Sequence, residues 1–359
     1  MTIIYLYRSL AAFGGVERIF IDKANYLAEH YGYHVYIITW EQGGHSIVYP
    51  LSPKVTHIDW GILFYRQYQY GLFKRMFMQW KMEKEFFKKL SNFVHTTQAD
   101  IVIGASCEFT TMAGMDLLQR KTHTILETHS MRTSIEKNNP PAGNLLMRWA
   151  FKRRDKKLHQ YIKHMSAFVT LTHNDAKDWS DITPQARIIP NMLHRYPAEI
   201  SPDKKTQKRI ITAGRLVEQK GYDLLLDAWS KVHQKHPEWI LDIYGEGEDK
   251  NMLLEKRKNL ALENSVLFHP PTPDIYQKYM DSDFYVMSSR YEGFGLVLAE
   301  AMSCGIPCVS FDCPHGPSDI IKDHEDGLLV EKENIKELAD KICYLIENEN
   351  VRIKMGHKA

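Results

Sequence analysis

The sequence predicts an α/β fold made of two tandem Rossmann-like domains, each a doubly wound parallel sheet. Three observations lead to this prediction. The chain has 359 residues, and at ~100–200 residues per domain this length favours two domains. Both halves alternate short apolar strands with helices, which is typical of a parallel sheet covered on both faces. Residues 191–209 are polar, charged and contain proline, so we expect them to link the two series.

The elements of the first half begin with TIIYLY at 2–7, a predicted strand. Apolar residues at helical spacing follow over 14–32, and a further helix is predicted over 110–121. The other predicted strands of this half are 33–40, 101–106, 123–129, 168–172 and 186–191.

Two segments, 60–90 and 145–165, depart from this alternation. Both have helical spacing, with aromatic or Met side chains on one side and Lys or Arg on the other. A solvated helix whose apolar stripe packs on the core explains the pattern, and so does an amphipathic helix at a membrane surface. A nucleic-acid surface is the third interpretation, but no nucleic-acid motif accompanies the basic residues.

The second half is predicted to alternate in the same way. Its predicted strands are 209–215, 239–245, 266–270, 283–289, 307–311 and 327–330. Its predicted helices are 222–234, 250–262, 275–280, 295–304 and 335–348. We therefore place the first domain at 1–195 and the second at 205–345.

Charge is unevenly distributed along the chain. The net charge is +2, but residues 1–185 hold 23 Lys and Arg against 16 Asp and Glu, so this half carries about +7 and the rest about −5. A basic half predicts an anionic partner, such as nucleic acid or an anionic membrane surface. Five cysteines without a CxxC pair indicate a reducing cytosol. We expect a cytoplasmic protein, peripheral on the inner face of the cell membrane if the basic helices bind lipid.

Two cations after the first strand of the second domain are candidates for binding a diphosphate. Arg215 follows RIITAG, and Lys220 lies five residues further on, at the start of the next helix. Ligands of parallel α/β sheets bind beyond the carboxyl ends of the strands. A helix start adds amide donors and positive dipole charge, so we expect this pair to bind phosphate.

A glycine turn follows another strand of this domain, in EGFGLVLAE at 292–300. Gly293 and Gly295 remove side chains where a backbone must approach a ligand closely. The amides of Phe294, Gly295 and Leu296 are then expected to point at phosphate from the start of a helix. The turn matches neither GxxxxGK[ST] nor GxGxxG, so it is neither a Walker loop nor a dinucleotide fingerprint.

Two glutamates flank this turn. Glu300 lies five residues into the helix, where its carboxylate can accept hydrogen bonds from the hydroxyls of a ribose. Glu292 precedes the turn, nearer to the group beyond the phosphates. Because carboxylates repel a diphosphate unless each has hydroxyl partners, a sugar at one and a ribose at the other is the economical explanation.

Weaker candidates lie in the first half and among the cysteines. Gly14 and Gly15 open the first helix, and His129 ends a strand at the same carboxyl edge. A tight turn and a structural histidine explain these features equally simply. A further group, consisting of Cys304, Cys308, Cys313 and His315, lacks the spacing of a zinc knuckle, so we expect core thiols and no metal.

Together these motifs resemble those of the retaining nucleotide-sugar glycosyltransferases of family 4. The motifs hold their order and spacing from residue 1 to about 345. They are GGVER at 14–18, IIPN at 188–191, AGRLVEQKG at 213–221, IYGEGED at 243–249, EGFGLVLAE at 292–300, AMSCGIPCVS at 301–310 and DGLLV at 326–330. The resemblance implies a GT-B fold, with a cleft between an acceptor-binding first domain and a donor-binding second domain. It implies that 346–359 begin a helix crossing back to the first domain, truncated in this chain.

The resemblance also implies roles for individual residues. In the second domain, Arg215 and Lys220 bind the donor diphosphate, and the backbone of 293–296 cradles phosphate. Glu300 holds the ribose, and Glu292 contacts the transferred sugar. Glu246 and Thr272 lie near the nucleoside. In the first domain, Gly15 lies at the phosphate end and His129 lies close to the anomeric carbon. No cofactor or metal is expected.

The expected reaction transfers a hexose or N-acetylhexosamine from a nucleotide sugar to a hydroxyl of a glycan or lipid-linked glycan. The expected nucleotide is UDP. Surface polysaccharide or glycoconjugate synthesis is the expected setting. A sugar-nucleotide epimerase or hydrolase would share the nucleotide site and is the alternative. A nicotinamide oxidoreductase would need GxGxxG after the first strand, which residues 8–15 do not supply.

Overall fold

The computed structural model describes residues 1–12, 14–118, 121–129, 132, 145–197, 200 and 207–359. The chain divides into two compact units, Met1–His194 and Arg195–Ala359. The predicted linker lies at this division and falls partly outside the described residues.

The first unit is built on a parallel sheet of seven strands in the order β3-β2-β1-β4-β5-β6-β7. The strands are β1 Thr2–Leu6, β2 His34–Thr39, β3 Val55–Asp59, β4 Ile101–Gly104, β5 His123–Glu127, β6 Ala167–Thr170 and β7 Arg187–Ile188. Strand β1 lies at the point where the order reverses, because Ile3 pairs with Val35 of β2 on one side and with Ile101 of β4 on the other.

Helices cover both faces of this sheet. The described helices of the first unit are Gly15–His30, Leu72–Thr97, Phe109–Asp116, Leu145–His164 and His173–Asp178, with a 3-10 helix at Phe64–Gln69. Successive residues of β1 point to opposite faces. Tyr5 packs against Phe20 of the first helix, whereas Ile4 joins the cluster of Phe86 in the second.

The second unit contains a parallel sheet of six strands in the order β10-β9-β8-β11-β12-β13. The strands are β8 Arg209–Ala213, β9 Ile240–Tyr244, β10 Val266–His269, β11 Phe284–Met287, β12 Cys308–Phe311 and β13 Gly327–Val330. The order reverses at β8, so the loops after β8 and β11 meet where ligands of doubly wound sheets bind.

Helices also cover both faces of the second sheet. They are Tyr222–Lys235, Lys250–Asn259, Ile275–Met280, Leu296–Met302, Pro317–Ile320, Ile335–Glu347 and Glu349–Gly356, with a 3-10 helix at Glu218–Lys220. Ile210 packs on the Trp229 side of the sheet and Ile211 on the Leu298 side. The two parallel sheets confirm the predicted α/β fold class with two Rossmann-like domains.

The structure adds detail in 40–97, where the sequence predicted least. Strand Val55–Asp59 was not predicted, and the segment 60–90 is interrupted, because Gly71 separates the 3-10 helix from the helix that begins at Leu72. None of the described helices combines the length and apolar character that crossing a bilayer requires.

The C-terminal segment packs within the second unit. Residues Glu349–Gly356 form a short helix, and Met355 belongs to the core of this unit. The Arg352 guanidinium lies 5.5 Å from the centre of the Trp239 ring. The described residues of 346–359 thus have a structural role in the second unit, and the crossover stays a prediction.

Candidate active site

The loops after β8 and β11 are joined by a buried ion pair between Lys220 and Glu292. Lys220 Nζ donates to Glu292 Oε1 at 2.6 Å, with side chains 16% and 8% exposed. The hydroxyl of Ser289 donates to the same oxygen at 2.6 Å. Two residues that the sequence assigned to diphosphate and sugar are therefore in direct contact at the switch point of the sheet.

Arg290 fixes the loop that carries Glu292. Its guanidinium makes a bidentate pair with Asp223, at 2.8 and 2.7 Å, and donates to the carbonyl oxygen of Glu218 at 2.8 Å. Paired with Asp223, the guanidinium holds the pKa of that carboxyl below its ordinary value, although burial acts in the opposite direction. Bidentate pairs fix geometry as well as charge, so Arg290 sets the distance between the two loops.

Arg215 and Glu246 lie on adjoining loops of the same edge. Arg215 is exposed, and among the described residues its guanidinium has no hydrogen-bond or ion-pair partner. The amide of Leu216 donates to the carbonyl oxygen of Glu246 at 2.9 Å, while the Glu246 carboxylate pairs with Lys250 at 2.6 Å. The loops are in backbone contact, since a Cβ at Gly245 would lie 1.9 Å from the carbonyl oxygen of Gly214.

The turn predicted to bind phosphate contains a glycine in the left-handed region and three backbone amides of interest. Gly295 has φ +85° and precedes the helix Leu296–Met302. Among the described acceptors, none receives a hydrogen bond from the amides of Phe294, Gly295 or Leu296. The following loop supports the turn from behind, because a Cβ at Gly316 would lie 2.0 Å from the carbonyl oxygen of Phe294. Gly293 lies in the same turn, between Glu292 and Phe294.

Glu300 and Thr272 lie on neighbouring elements of the second unit. Glu300 is the fifth residue of Leu296–Met302 and is half-buried. Its negative charge adds to burial in raising the pKa of Tyr279. Thr272 accepts a hydrogen bond from the amide of Asp274 at 3.2 Å, just before the helix Ile275–Met280.

In the first unit, His129 belongs to a buried charged cluster. Its Nε2 lies 3.4 Å from Glu127 Oε2, and Lys23 Nζ donates to the same oxygen at 2.9 Å. Burial pushes the pKa of Glu127 upward, but the interactions with His129 and Lys23 outweigh it and hold the pKa below its ordinary value. Glu127 therefore stays ionised and can fix the orientation of the His129 ring.

Gly15 is the first residue of the helix Gly15–His30, which also carries Lys23. Apart from its chain neighbours and the backbone of its own helix, no atom of the described residues would lie within 4 Å of a Cβ at Gly15. The space beside Gly15 is therefore open, whereas Gly14 is crowded by Glu17, whose Oε2 would lie 2.1 Å from a Cβ at that position.

The cysteines near the turn are core residues. Cys304, Cys308 and Cys313 are each buried. Burial, together with the charge of Glu292, raises the pKa of Cys313 to about 12, so it remains a thiol at neutral pH. A neutral thiol is a poor nucleophile and a poor metal ligand.

Sequence reasoning missed the residues that position the candidate side chains. These are Ser289 and Arg290 beside Glu292, Asp223 and Gly316 in neighbouring loops, and Lys23 and Glu127 beside His129. Ser289 and Arg290 stand immediately before YEGFG, and Glu127 is the last residue of β5. The position of these three residues at strand ends was the signal that could have identified them. Their partners could not be read from the sequence, because the contacts join residues up to 104 positions apart.

Comparison with known proteins identifies related sequences and folds. Residues 198–359 match the family model of glycosyl transferases group 1. An "uncharacterized glycosyltransferase" of Haemophilus influenzae is 29% identical over 99% of this chain and 93% of its own length. The amylovoran biosynthesis glycosyltransferase AmsD of Erwinia amylovora is 40% identical, over 47% of this chain and 46% of its own length.

A solved structure aligns with this chain over nearly its full length. A mutant of S. aureus TarM, in complex with Fondaparinux, alpha-GlcNAc-glycerol and UDP, aligns with a TM-score of 0.75 over 99% of this chain and 95% of that chain. The sequences are 16% identical, so this likeness concerns the fold. The family match covers the C-terminal 198–359, and these likenesses together support a glycosyltransferase of the GT-B fold.

Proposed function

We propose that this protein is a retaining glycosyltransferase that moves a hexose or N-acetylhexosamine from a UDP-sugar to a hydroxyl of a glycan or lipid-linked glycan. The observation that carries the proposal is the arrangement at the β8/β11 edge. It combines the Lys220–Glu292 pair with an Arg215 guanidinium and turn amides that have no hydrogen-bond partner in the part of the chain that the structure describes. The relative AmsD acts in amylovoran biosynthesis, and the TarM complex holds UDP, which supports a role in polysaccharide or glycoconjugate synthesis.

The cationic groups would stabilise the leaving nucleoside diphosphate. Arg215 is free to bind an anion without losing an internal partner, and the amides of 294–296 add uncharged donors. Lys220 already has a carboxylate partner at 2.6 Å, so a bound diphosphate would share or replace that partner. Fixed positive charge aimed at the departing phosphate is commonly the largest catalytic contribution. In this proposal no metal is required for departure of the nucleotide.

Glu292 and Glu300 would bind the two sugars of the donor. Glu292 is held by Lys220 and Ser289 through one oxygen, which leaves Oε2 available to accept from a hydroxyl of the transferred sugar. Glu300 would accept from the ribose hydroxyls, and Glu246 and Thr272 would contact the nucleoside. In the first unit, His129, oriented by Glu127, would bind near the anomeric carbon, with Gly15 at the phosphate end. The acceptor hydroxyl would attack the same face that the nucleotide leaves, which retains the configuration.

An anionic membrane surface is the proposed site of action, on the cytoplasmic face. The support is an aromatic and aliphatic surface on 65–80. Its exposed residues are Tyr65, Tyr68, Leu72, Phe73, Met76, Phe77 and Trp80. Lysines such as Lys74 and Lys84 lie beside it, and this combination is typical of helices that bind anionic lipid. If anionic vesicles did not carry the protein with them in flotation, membrane binding would be rejected.

The donor site can be tested with variants that leave the fold intact. Because the Arg215 side chain is exposed and unpaired, Arg215→Ala should keep the melting temperature while weakening UDP binding by about 10-fold or more, the loss expected for a charge-assisted contact. Lys258→Ala removes an exposed cation of the same unit and serves as the matched control. Binding is measured by calorimetry with UDP.

A substitution of Glu292 should separate sugar transfer from donor binding. Glu292→Gln should bind UDP-sugar yet transfer no sugar, whereas normal transfer by this variant would remove the proposed role. Incubation of the unmodified protein with donor alone gives a second check. Stoichiometric epimer formation without acceptor would show an epimerase and refute the transferase.

A further inference from the structure

Three side chains with metal-binding atoms lie together in the second unit. His236, Cys343 and Glu347 each offer one such atom, and the three atoms lie within 4.8 Å of one another. Among the described residues, no other set of three His, Cys, Asp or Glu side chains comes together in this way. None of the three was predicted as a site residue from the sequence.

Two helices bring these side chains together. His236 follows directly after the helix Tyr222–Lys235, whereas Cys343 and Glu347 belong to the helix Ile335–Glu347. Residues four positions apart on a helix lie on the same side of it, so Cys343 and Glu347 face His236 together. Both helices contribute side chains to the same core cluster, which fixes their relative position.

His236 and Glu347 are already in contact. His236 Nε2 lies 3.0 Å from Glu347 Oε1, and the side chains are 16% and 54% exposed. The main chain of His236 is held on both sides, because its amide donates to the carbonyl oxygen of Val232 at 2.9 Å and its carbonyl oxygen accepts from the amide of Trp239 at 3.2 Å. The histidine therefore has a defined position, while the exposed glutamate is free to adjust.

The separations of the three atoms are close to those around a tetrahedral zinc ion. Zinc binds sulfur at about 2.3 Å and nitrogen or oxygen at about 2.0–2.2 Å, so the ligand atoms of one ion lie about 3.3–3.7 Å apart. The distance between His236 and Glu347 would open slightly from 3.0 Å. The other distances, at most 4.8 Å, would close by at most about 1.3 Å, a shift that side-chain rotation can supply.

The chemical types of the ligands favour zinc over magnesium or calcium. Thiolate and imidazole are ligands of zinc, whereas magnesium and calcium are held by oxygen atoms. Burial raises the pKa of the Cys343 thiol, so a binding cation must displace its proton to solvent. One thiolate and one carboxylate then balance the two charges of the ion, beside a neutral imidazole. Cys313, also a buried thiol, belongs to no such set among the described residues.

The cluster is remote from the proposed donor chemistry. The helix Tyr222–Lys235 has 14 residues, and at 1.5 Å per residue it is about 21 Å long. Lys220 precedes this helix and His236 follows it. A metal ion at His236 would therefore be too far away to contact the leaving nucleotide, and its effect would be on the stability of the second unit.

We propose that His236, Cys343 and Glu347 bind one Zn²⁺ and so connect the ends of the two helices, with water as the fourth ligand. This set of ligands is assembled only in the folded protein, so zinc binding stabilises the folded state. The site goes beyond the proposed transferase function and does not depend on it.

Zinc titration of the untagged, metal-free full chain tests the proposal. One Zn²⁺ should bind per chain. With free Zn²⁺ at about 100 times its Kd, the melting temperature of the second unit should rise by about 5–10 °C. Mg²⁺ at the same concentration should leave the melting temperature unchanged, because it prefers oxygen ligands. Co²⁺ reports the ligands directly, since a bound thiolate gives an ultraviolet charge-transfer band.

Variants of the three ligands locate the site. Glu347→Gln changes an exposed side chain and keeps the fold. It should weaken Zn²⁺ binding by at least about 10-fold, since even the outer partners of metal ligands contribute about 10–100-fold. His236→Gln should have a similar effect, and Cys343→Ala should remove the charge-transfer band of Co²⁺. His164→Gln is the matched control, because His164 also pairs with a carboxylate, that of Asp116 at 2.8 Å, but belongs to no set of three ligands in the described part of the chain.

Several results would overturn the proposal. They are the absence of Zn²⁺ binding, an equal rise in melting temperature with Mg²⁺, and an affinity for Zn²⁺ that Glu347→Gln leaves unchanged. Each would reduce the contact of His236 with Glu347 to an ordinary ion pair. A charge-transfer band that persists in Cys343→Ala would show that another thiolate binds the metal, and it would overturn the proposal as well.

Discussion

Replacement of Lys220 by methionine should destabilise the second unit strongly, and a second substitution should reverse most of the loss. In Lys220→Met the Glu292 carboxylate keeps the hydroxyl of Ser289 but loses its cation. In the double variant with Glu292→Gln, neither a buried cation nor a buried carboxylate remains.

The expected magnitude follows from burial. The pair is 16% and 8% exposed, and removing one partner of a buried ion pair costs about 3–5 kcal/mol. The pair Lys250–Glu246 has the same 2.6 Å separation, but its side chains are 37% and 49% exposed. Exposed ion pairs contribute about 0.2–1 kcal/mol. The two pairs therefore separate the effect of burial from the effect of distance.

Native-state hydrogen exchange measures the effect in the full chain. Strand Phe284–Met287 is buried throughout, so its amides exchange through large-scale opening of the second unit. A double-mutant cycle on Lys220 and Glu292 should give a coupling of about 2 kcal/mol or more, and the cycle on Lys250 and Glu246 well below 1 kcal/mol. Equal couplings in the two cycles would refute the argument that burial makes the Lys220–Glu292 pair strong.

Two further predictions concern backbone contact and pH. Gly316→Ala should destabilise the second unit by at least about 1–3 kcal/mol, because Gly316 has φ +108° and the added Cβ would overlap the carbonyl oxygen of Phe294. Gly15→Ala is the control and should leave the stability equal or higher. An unchanged melting temperature for Gly316→Ala would contradict this prediction. Burial raises the pKa of Asp175 to about 6 in the folded protein, above its value in the unfolded chain. Folding therefore favours the protonated carboxyl, and this stabilisation is present at low pH and is lost as the pH rises through about 6. Asp175→Asn should therefore raise the melting temperature more at about pH 7.5 than at about pH 5, and an equal change at both values would contradict the shift.

The repeated strand and helix pattern predicted all six strands of the second sheet and six of the seven in the first, because the inner strands of a covered parallel sheet are largely apolar. Strand Val55–Asp59 escaped prediction because it lies at the edge of the sheet and has one fully buried residue, Val55. Edge strands need less apolar surface, so their sequences resemble loops.

The sequence predicted those residues of the candidate site that lie in the loops directly after strands. Lys220 and Glu292 were found in this way, but their contact was not, since both were assigned to parts of a ligand and 72 residues separate them. The supporting residues Arg290 and Asp223 look like ordinary surface charges in the sequence. Their function depends on packing between loops, which local patterns do not encode.

The backbone contact between the loops after β8 and β9 has a consequence for engineering. A Cβ at Gly245 would lie 1.9 Å from the Gly214 carbonyl oxygen, and one at Gly247 would lie 2.2 Å from that of Leu216. Neither position can accept a side chain without moving the loop that carries Arg215. Libraries that test the proposed nucleoside contact should therefore vary Glu246, whose side chain is exposed, and hold the two flanking glycines constant.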